Sequence, residues 1–503
     1  MTNPVFFGPN ILKWCDNCNI PILNVKKCPK CNEETRSVNI TPPFDVRPAI
    51  FGMDVLKNTI DSNYGVGSSS FLDSKIVLFN RAPDIDTLDE VILDGVVVGR
   101  LQFDVNRMSW RFKPTINGAL RIFKVLKRFP KWVLVDKGAE PYIKNGANVL
   151  APGILDFDNT IEKLDFVFII NTNNQLLAIG KCKYSPEEIR GMKKGMIIKN
   201  IGHIKETYNL KDLKKGATWE DVINANWQYL EEKENTSKKL LRRVVNKYND
   251  IPVAVSFSGG KDSLCTLLIA IEELKDNFHV IFLNTGIEFP ETVRFTKEII
   301  RRLGLESKLI IGDAKNTFWE NLSKYGFPAR DYRWCNKVLK LDIMKKIIEE
   351  RFNGKALTVV GTRKRESRTR SREREVSQNK NIPGQINVSI IHNWTTLTVW
   401  LYIIKKGIMF NPIYNNNFNR IGCWICPSNK LSEIETLKST HPRLYEKLMQ
   451  ELKKFKEEIN ASEEFIKYGF WRWRNPSKGM VKLAKKLKIP LDIDYSRFQK
   501  FNW

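Results

Sequence analysis

The period of apolar and polar positions changes several times along the chain, and each change predicts a different element. "DEVILDGVVVGRLQFD", ending at Asp104, alternates apolar and polar positions around glycine turns, which predicts strands and a small α/β or β-rich region over 37–130. From Trp132 onward, short apolar runs such as Phe166–Ile170 and Leu176–Ile179 are divided by Gly, Asn and Asp, the pattern of a small barrel. "WQYLEEKENTSKKLLRRVVNKY" combines i,i+4 charge pairs with an apolar face, so 206–249 is expected to be a helical connector. A buried-strand run, "VAVSF", then gives way to an amphipathic helix, "SLCTLLIAIEEL". No segment approaches the ~18 uninterrupted apolar residues of a membrane span. "LTVWLYIIKKGIMF" is broken by Lys405 and Lys406.

Between "VAVSF" and its helix stand Ser258, Gly259, Gly260, Lys261, Asp262 and Ser263. The glycines remove side chains where backbone must approach a phosphate, and the new helix offers free N–H groups and a dipole to an anion. Lys261 adds a point charge. The spacing is not that of a Walker A loop. "YGVGSSSF" looks superficially like a dinucleotide loop, but Ser70 replaces the third glycine and no clear strand precedes it, so it is set aside.

Nine cysteines change the picture, because they cluster. Cys15 and Cys18, then Cys28 and Cys31, form two C-x2-C pairs nine residues apart, which suits one closed tetrahedral Zn2+ site. A segment this short has little apolar content, so the metal would supply its folding energy. Cys423 and Cys426 form a third C-x2-C, with Cys335 upstream, while Cys182 and Cys265 lie in barrel and helix patterns and read as core. Cys265 is a distant candidate for a further ligand.

Charge narrows the partner. The 503 residues carry 82 Lys+Arg against 56 Asp+Glu, net +26, with 42% hydrophobic residues, so the chain is globular and long enough for several domains. A field of that sign favours nucleic acid, a lysine-biased proteome or a membrane-surface role being the blander readings. "GTRKRESRTRSRERE" holds seven Lys/Arg within 361–374, either a phosphate-binding arm or a solvated loop. "YGFWRWRNPSKG" interleaves Trp471 and Trp473 with Arg472 and Arg474, which can stack unpaired bases or seal an apolar seam. "MTNPVFFGPN" shows no secretory signal, and the expected compartment is the cytoplasm.

Two resemblances then carry the reading further. "VDKGAEPYIKNGANVLAPGI", "LDFVFII" and "LLAIGKCKYS", with Gly138, Ala139, Gly146 and Ala147, resemble the PUA domain over 131–205, with Leu164 where that family often has glycine. The likeness implies RNA binding and makes Lys137, Lys144 and Lys181 its candidate contacts. S-G-G-K-D-S resembles the PP-loop of the ATP pyrophosphatases. With "FLNTGIEFPET", "RWCNKVLK", "VVGTRKRESRTR" and "NPIYNNNFNRIGCWICP" it resembles the phosphoadenylylsulfate (PAPS) reductase family over about 250–430. That likeness implies an α/β fold with a doubly wound parallel sheet. It puts Ser258–Ser263 on the phosphates of an adenine nucleotide, Asn284 and Thr285 near the adenosine, and Arg363 and Glu366 at the nucleotide pocket.

The departures matter as much. Cluster-bearing members have a Cys-Cys pair where this chain has Trp334-Cys335, so three thiolates, Cys335, Cys423 and Cys426, would hold a [4Fe–4S] cluster with one iron open, as in PP-loop enzymes that thiolate tRNA; zinc is the competing occupant. No cysteine follows Cys426 to serve as the reductases' C-terminal nucleophile.

The expected organisation is a zinc ribbon (1–36), a pre-PUA region (37–130), the PUA domain (131–205), a connector (206–249), a PP-loop domain (250–435) and a basic helical C-terminal region (436–503). The expected activity is adenylation of a nucleoside in RNA, tRNA first, using ATP and Mg2+, with Lys261 and Asp262 in the chemistry and sulfur delivered from the three-cysteine site. A sulfonucleotide reductase and a nucleotide-regulated RNA-binding protein are the alternatives. A sulfur donor or thioredoxin-like partner and a homodimer remain open, and no membrane is expected.

Overall fold

The computed structural model describes residues 7–126, 129–204, 213 and 216–503. Most of the start of the expected connector and the first residues of "MTNPVFFGPN" lie outside them. The chain forms two compact units, divided between Trp227 and Gln228.

Among the described residues the first unit holds three sheets. Leu12–Cys15 sits between Ile20–Leu23 and Arg36–Ser37, all antiparallel. A five-stranded antiparallel sheet follows, Val46–Pro48, Val77–Arg81, Leu88–Leu93, Val96–Asp104 and Ser109–Pro114 in spatial order, with the helices Met53–Tyr64 and Ile116–Val125 packed on it. Thr115 caps the second helix by accepting from the Gly118 N–H. Asp94 is fully buried in this sheet, but Lys75 and Arg121 both bond its Oδ2, at 3.0 and 2.8 Å, so the charge is compensated.

The third sheet orders its strands as Val149–Leu150, Met196–His203, Leu176–Cys182, Phe166–Ile170, Trp132–Val135 and Ile154–Phe157. Phe166–Ile170 and Trp132–Val135 run parallel and the other neighbours antiparallel. The strand expected to stop at Ile179 continues to Cys182, since Gly180 packs against its neighbour: a Cβ there would lie 2.2 Å from Ile198 Cγ2. Leu164 has φ of 72°, the left-handed region, which is why glycine is at home in that position. Phe168 and Ile179 share a buried cluster with Ile60 and Phe112 of the preceding sheet.

In the second unit six strands are β1 (Val253–Ser256), β2 (His279–Asn284), β3 (Leu309–Asp313), β4 (Ala356–Val359), β5 (Val376–Gln378) and β6 (Gln385–Val388), ordered 3-2-1-4-6-5. All neighbours are parallel except the edge strand β5, which is antiparallel to β6. β1 is apolar throughout its buried run and leads through the glycine loop into α1 (Lys261–Leu274). The order reverses beside β1, which places a crevice at the carboxyl ends of β1, β2 and β4, the position where open α/β sheets bind ligands. The helix Trp227–Lys247 packs in this unit, where Ser237 donates to the Ile390 carbonyl at 2.6 Å. Among the described residues no helix is long and apolar enough to cross a membrane.

Candidate functional site

The loop after β1 is held by its own hydroxyls. Ser263 Oγ donates to the Gly260 carbonyl at 2.9 Å and accepts from the Ser258 N–H at 3.1 Å. Gly259 has φ of 72°, and a Cβ there would stand 2.9 Å from Thr292 Cγ2, so only glycine fits both the torsion and the space. Gly361, in the loop after β4, comes so close that a Cβ would meet the Asp262 carbonyl carbon at 2.7 Å. The two loops touch backbone to backbone.

The charges of this loop form a chain. Lys261 Nζ bonds Asp262 Oδ2 at 2.8 Å, and Arg363 Nε bonds Asp262 Oδ1 at 2.5 Å. Arg363 is 2% exposed and also donates to Thr396 Oγ1 at 2.9 Å. Burial pushes the Asp262 carboxyl up, but the charges of Arg363 and then Lys261 outweigh it and hold the group down at about 2. Glu366 lies 3.8 Å from Arg363 Nε and pairs with Arg370.

Two partners of the loop were not singled out from sequence. Tyr414 OH accepts the Lys261 backbone N–H at 2.9 Å, and Asn411 Nδ2 donates to the Gly259 carbonyl and to Thr292 Oγ1. Both lie in "NPIYNNNFNRIGCWICP", whose asparagines and tyrosine beside the cysteines were the available signal.

The same segment carries Cys423 and Cys426, whose turn is closed by the Cys426 N–H on the Cys423 carbonyl at 3.1 Å. Glu288 and Cys423 form a β-bridge, and the Trp424 N–H reaches the Ile287 carbonyl. The C-x2-C is thereby tied to the loop after β2. Thr285 Oγ1 lies 3.5 Å from Cys423 Sγ and donates to Glu288 Oε1 at 2.8 Å. Asn284, at the end of β2, faces solvent more and bonds Asp313 Oδ1.

Cys335, on the short helix Trp334–Asn336, lines one cavity with Cys423 and Cys426, beside Arg333, Lys340 and Arg420. Burial raises the Cys335 and Cys423 thiols. Trp334 is fully buried, stacked on Phe318 and donating to the Gly326 carbonyl. Cys265 is fully buried in α1 and is not among the residues lining this cavity.

The N-terminal cysteines stand apart in the first unit. Their four sulfurs lie within 4.8 Å of one another, Cys15 to Cys31 at 3.5 Å and Cys18 to Cys28 at 4.0 Å. A tetrahedral ion with bonds of about 2.3 Å sets thiolates roughly 3.8 Å apart, so the four can hold a metal ion. Burial raises the Cys15 thiol to about 11, while hydrogen bonds from the Glu33 backbone and Asn17 overcome burial at Cys31 and hold it near 6.

Of the three lysines expected on the barrel, Lys137 and Lys144 are exposed and flank Glu140, whose Oε1 pairs with Lys144 at 2.7 Å. Lys181 lies on the strand Leu176–Cys182, where its charge bears on Lys113. The tryptophan–arginine stretch seals a seam: Trp471, Arg472 and Trp473 are buried, and Arg472 Nη1 donates to the Asn429 carbonyl at 2.6 Å.

Comparison with known proteins gives these features relatives. Residues 252–429 match the phosphoadenosine phosphosulfate reductase domain, and 131–204 match the PUA domain. The chain is 34% identical over 481 residues to the uncharacterized protein MJ0066 of Methanocaldococcus jannaschii, covering 93% of this chain and 98% of that one. It is 27% identical over 216 residues to an adenosine 5'-phosphosulfate reductase of Lysinibacillus sphaericus, which covers 42% of this chain and 87% of that enzyme. It is 39% identical over 85 residues to the tRNA-guanine(15) transglycosylase of Thermococcus kodakarensis, 17% of this chain and 14% of that protein.

Proposed function

Because the chain belongs to the family of MJ0066 and carries a PAPS reductase domain of the PP-loop type beside a PUA domain, we propose that it is an ATP-dependent RNA-modifying enzyme that adenylates a nucleoside, tRNA being the first candidate, and replaces the activated oxygen with sulfur. The observation that carries this reading is the single segment 411–426. It braces the PP-loop through Asn411 and Tyr414 and brings Cys423 within 3.5 Å of Thr285. One segment thus ties the nucleotide loop to the thiol site.

In this reading Ser258–Ser263 cradle the phosphates of ATP, with Asp262 the group suited to Mg2+. Lys261 meets the charge that builds on the departing pyrophosphate. Arg363 keeps Asp262 ionised and the loop closed on α1. Asn284 and Thr285 border the adenosine, and Glu366 holds the neighbouring Arg370. The PUA domain brings RNA, with the exposed Lys137 and Lys144 and the strand residue Lys181 available to its phosphates.

Cys335, Cys423 and Cys426 line one cavity and are proposed to hold a [4Fe–4S] cluster, with zinc as the competing occupant. Held by Cys335, Cys423 and Cys426, such a cluster would supply the sulfide for the exchange. The thiols give up their protons to hold it, and Arg333, Lys340 and Arg420 surround the resulting negative charge.

Pyrophosphate release from ATP by anaerobically purified protein, with and without total tRNA, tests the adenylation step. RNA-stimulated release is expected. Absence of release under both conditions, with sulfite formed from adenosine 5'-phosphosulfate instead, would assign the chain to sulfonucleotide reduction.

Cys15, Cys18, Cys28 and Cys31 are proposed to hold one structural Zn2+. A strong chelator is expected to remove one zinc per chain and to raise amide exchange over residues 12–37, with little change over β1 and β2 of the other unit. Unchanged exchange after zinc loss would make the ion dispensable for this fold.

A further inference from the structure

Trp394 belongs to two neighbourhoods. Its carbonyl accepts from Arg363 Nη1 at 3.4 Å, at the back of the PP-loop. It also lines a second cavity, of about 370 Å3, whose opposite wall is the helix Trp227–Lys247. Lys233, Lys239 and Arg243 of that helix line the cavity, with Glu375 and Asn393 facing them. The three cations fall on one helical face and span about 15 Å along its axis.

Their charge is not balanced locally. Glu375 is the one carboxylate among the lining residues, and its Oε1 already takes the Asn393 amide at 2.6 Å. Lys364 and the buried Arg365 lie close behind. Burial and then the Arg365 charge hold the Lys233 ammonium down, and burial, Arg365 and Lys233 do the same to Lys364. Three cations lining a cavity with one carboxylate leave a net positive charge that an anion would neutralise, and their spacing along the helix suits a chain of phosphates better than one phosphate.

We propose that this groove is where the catalytic unit holds the phosphodiester backbone of its RNA substrate, separate from any RNA contact made by the PUA domain. The proposal rests on the RNA-modification reading above and deepens it. A strand lying along Lys233, Lys239 and Arg243 passes one residue layer, Trp394, from the Arg363–Asp262 pair. Non-sequence-specific grip at this groove leaves the choice of nucleoside to the pocket and to the barrel.

The test is tRNA binding by the full-length protein over a range of KCl concentrations, comparing the natural chain with Lys239→Glu/Arg243→Glu. Both positions are exposed, so the double variant is expected to keep its fold and its ATP affinity. Its tRNA affinity is expected to fall about tenfold or more, with a shallower salt slope by about 1.5, the loss of two phosphate contacts. Unchanged affinity and slope would overturn the groove while leaving the RNA reading intact. No tRNA binding by the natural chain would overturn both. Lys233→Gln provides a second, milder variant should the charge reversals disturb folding: a smaller loss of affinity in the same direction supports the groove, and none overturns it.

Discussion

Arg363→Ala is expected to lower nucleotide-dependent pyrophosphate release at least about a hundredfold and to cost up to about 3 kcal/mol of stability, the low end of the range for breaking a buried ion pair because Lys261 still pairs with Asp262. The side chain of Arg363 is 2% exposed and that of Asp262 19%, so the pair sits largely out of water. Without the guanidinium, burial acts on Asp262 with only Lys261 against it, and the carboxyl moves up from about 2. The natural pair has a definite pH signature. Because the folded value lies below the ordinary 3.8, the stabilisation is fully present above pH 4 and is lost as pH falls towards 2. Urea unfolding at neutral pH and at about pH 3, with the double variant Asp262→Asn/Arg363→Ala, separates the effects. The double variant is expected to regain much of the lost stability, because the stranded charge is gone, and to regain no activity. Equal stabilities of the single variant and the natural chain would remove Arg363 from this role. Loss of the loop's electrostatic arrangement is worth about 10²–10³ in rate on the scale of other preorganised donors.

What the sequence made legible, and what it did not, follows from where each interaction is encoded. The strand–loop–helix around Ser258–Ser263 was readable because its parts are contiguous: an apolar run, two glycines, a helix start. The doubly wound sheet with a PP-loop, and the PUA barrel, were readable through spaced motifs that the domain matches bear out. Leu164 was noted only as a departure from glycine; that it keeps a left-handed torsion is visible in the fold alone. Tyr414 and Asn411 were overlooked because their partners, Lys261 and Gly259, are more than 150 residues away. A side chain that reaches a backbone amide across such a distance leaves no periodic trace. Glu288 was overlooked for a similar reason: only the bridge to Cys423 gives it a place beside the thiols.

The tryptophan–arginine stretch shows the opposite failure of local reading. Alternating Trp and Arg can stack bases or close a seam, and composition alone does not decide. Arg472 decides it by spending its guanidinium on the Asn429 carbonyl, while Arg330 lies 4.5 Å from the Trp473 ring centre. The groove of Lys233, Lys239 and Arg243 was hidden in the same way within an ordinary helical charge pattern. Lys238, on the same helix, pairs with Glu234 and Glu272. Which lysines of that helix are partnered is settled by what packs against it, not by their spacing.

Cys423→Ala should split the proposed reaction in two. The residue touches Thr285 and Glu288, but no atom of Ser258–Ser263 bonds to it, so adenylation does not need its sulfur. Anaerobic pyrophosphate release in the presence of tRNA is therefore expected to stay within about twofold of the natural chain, a small loss for a distant change. Sulfur incorporation into RNA, read by mass spectrometry of digested nucleosides, is expected to fall at least about a hundredfold, as when a directly acting group is removed. Iron and sulfide content should fall with it, whereas the zinc of the N-terminal cysteines should stay at one per chain. The substitution trims a half-buried side chain and costs about 1 kcal/mol in packing, too little to account for a loss of that size. Loss of both steps together would mean that the thiol loop orders the nucleotide loop through Asn411 and Tyr414, and the two sites would have to be treated as one. Undiminished thiolation would remove the three-cysteine site from the reaction, leaving adenylation to be paired with another acceptor chemistry.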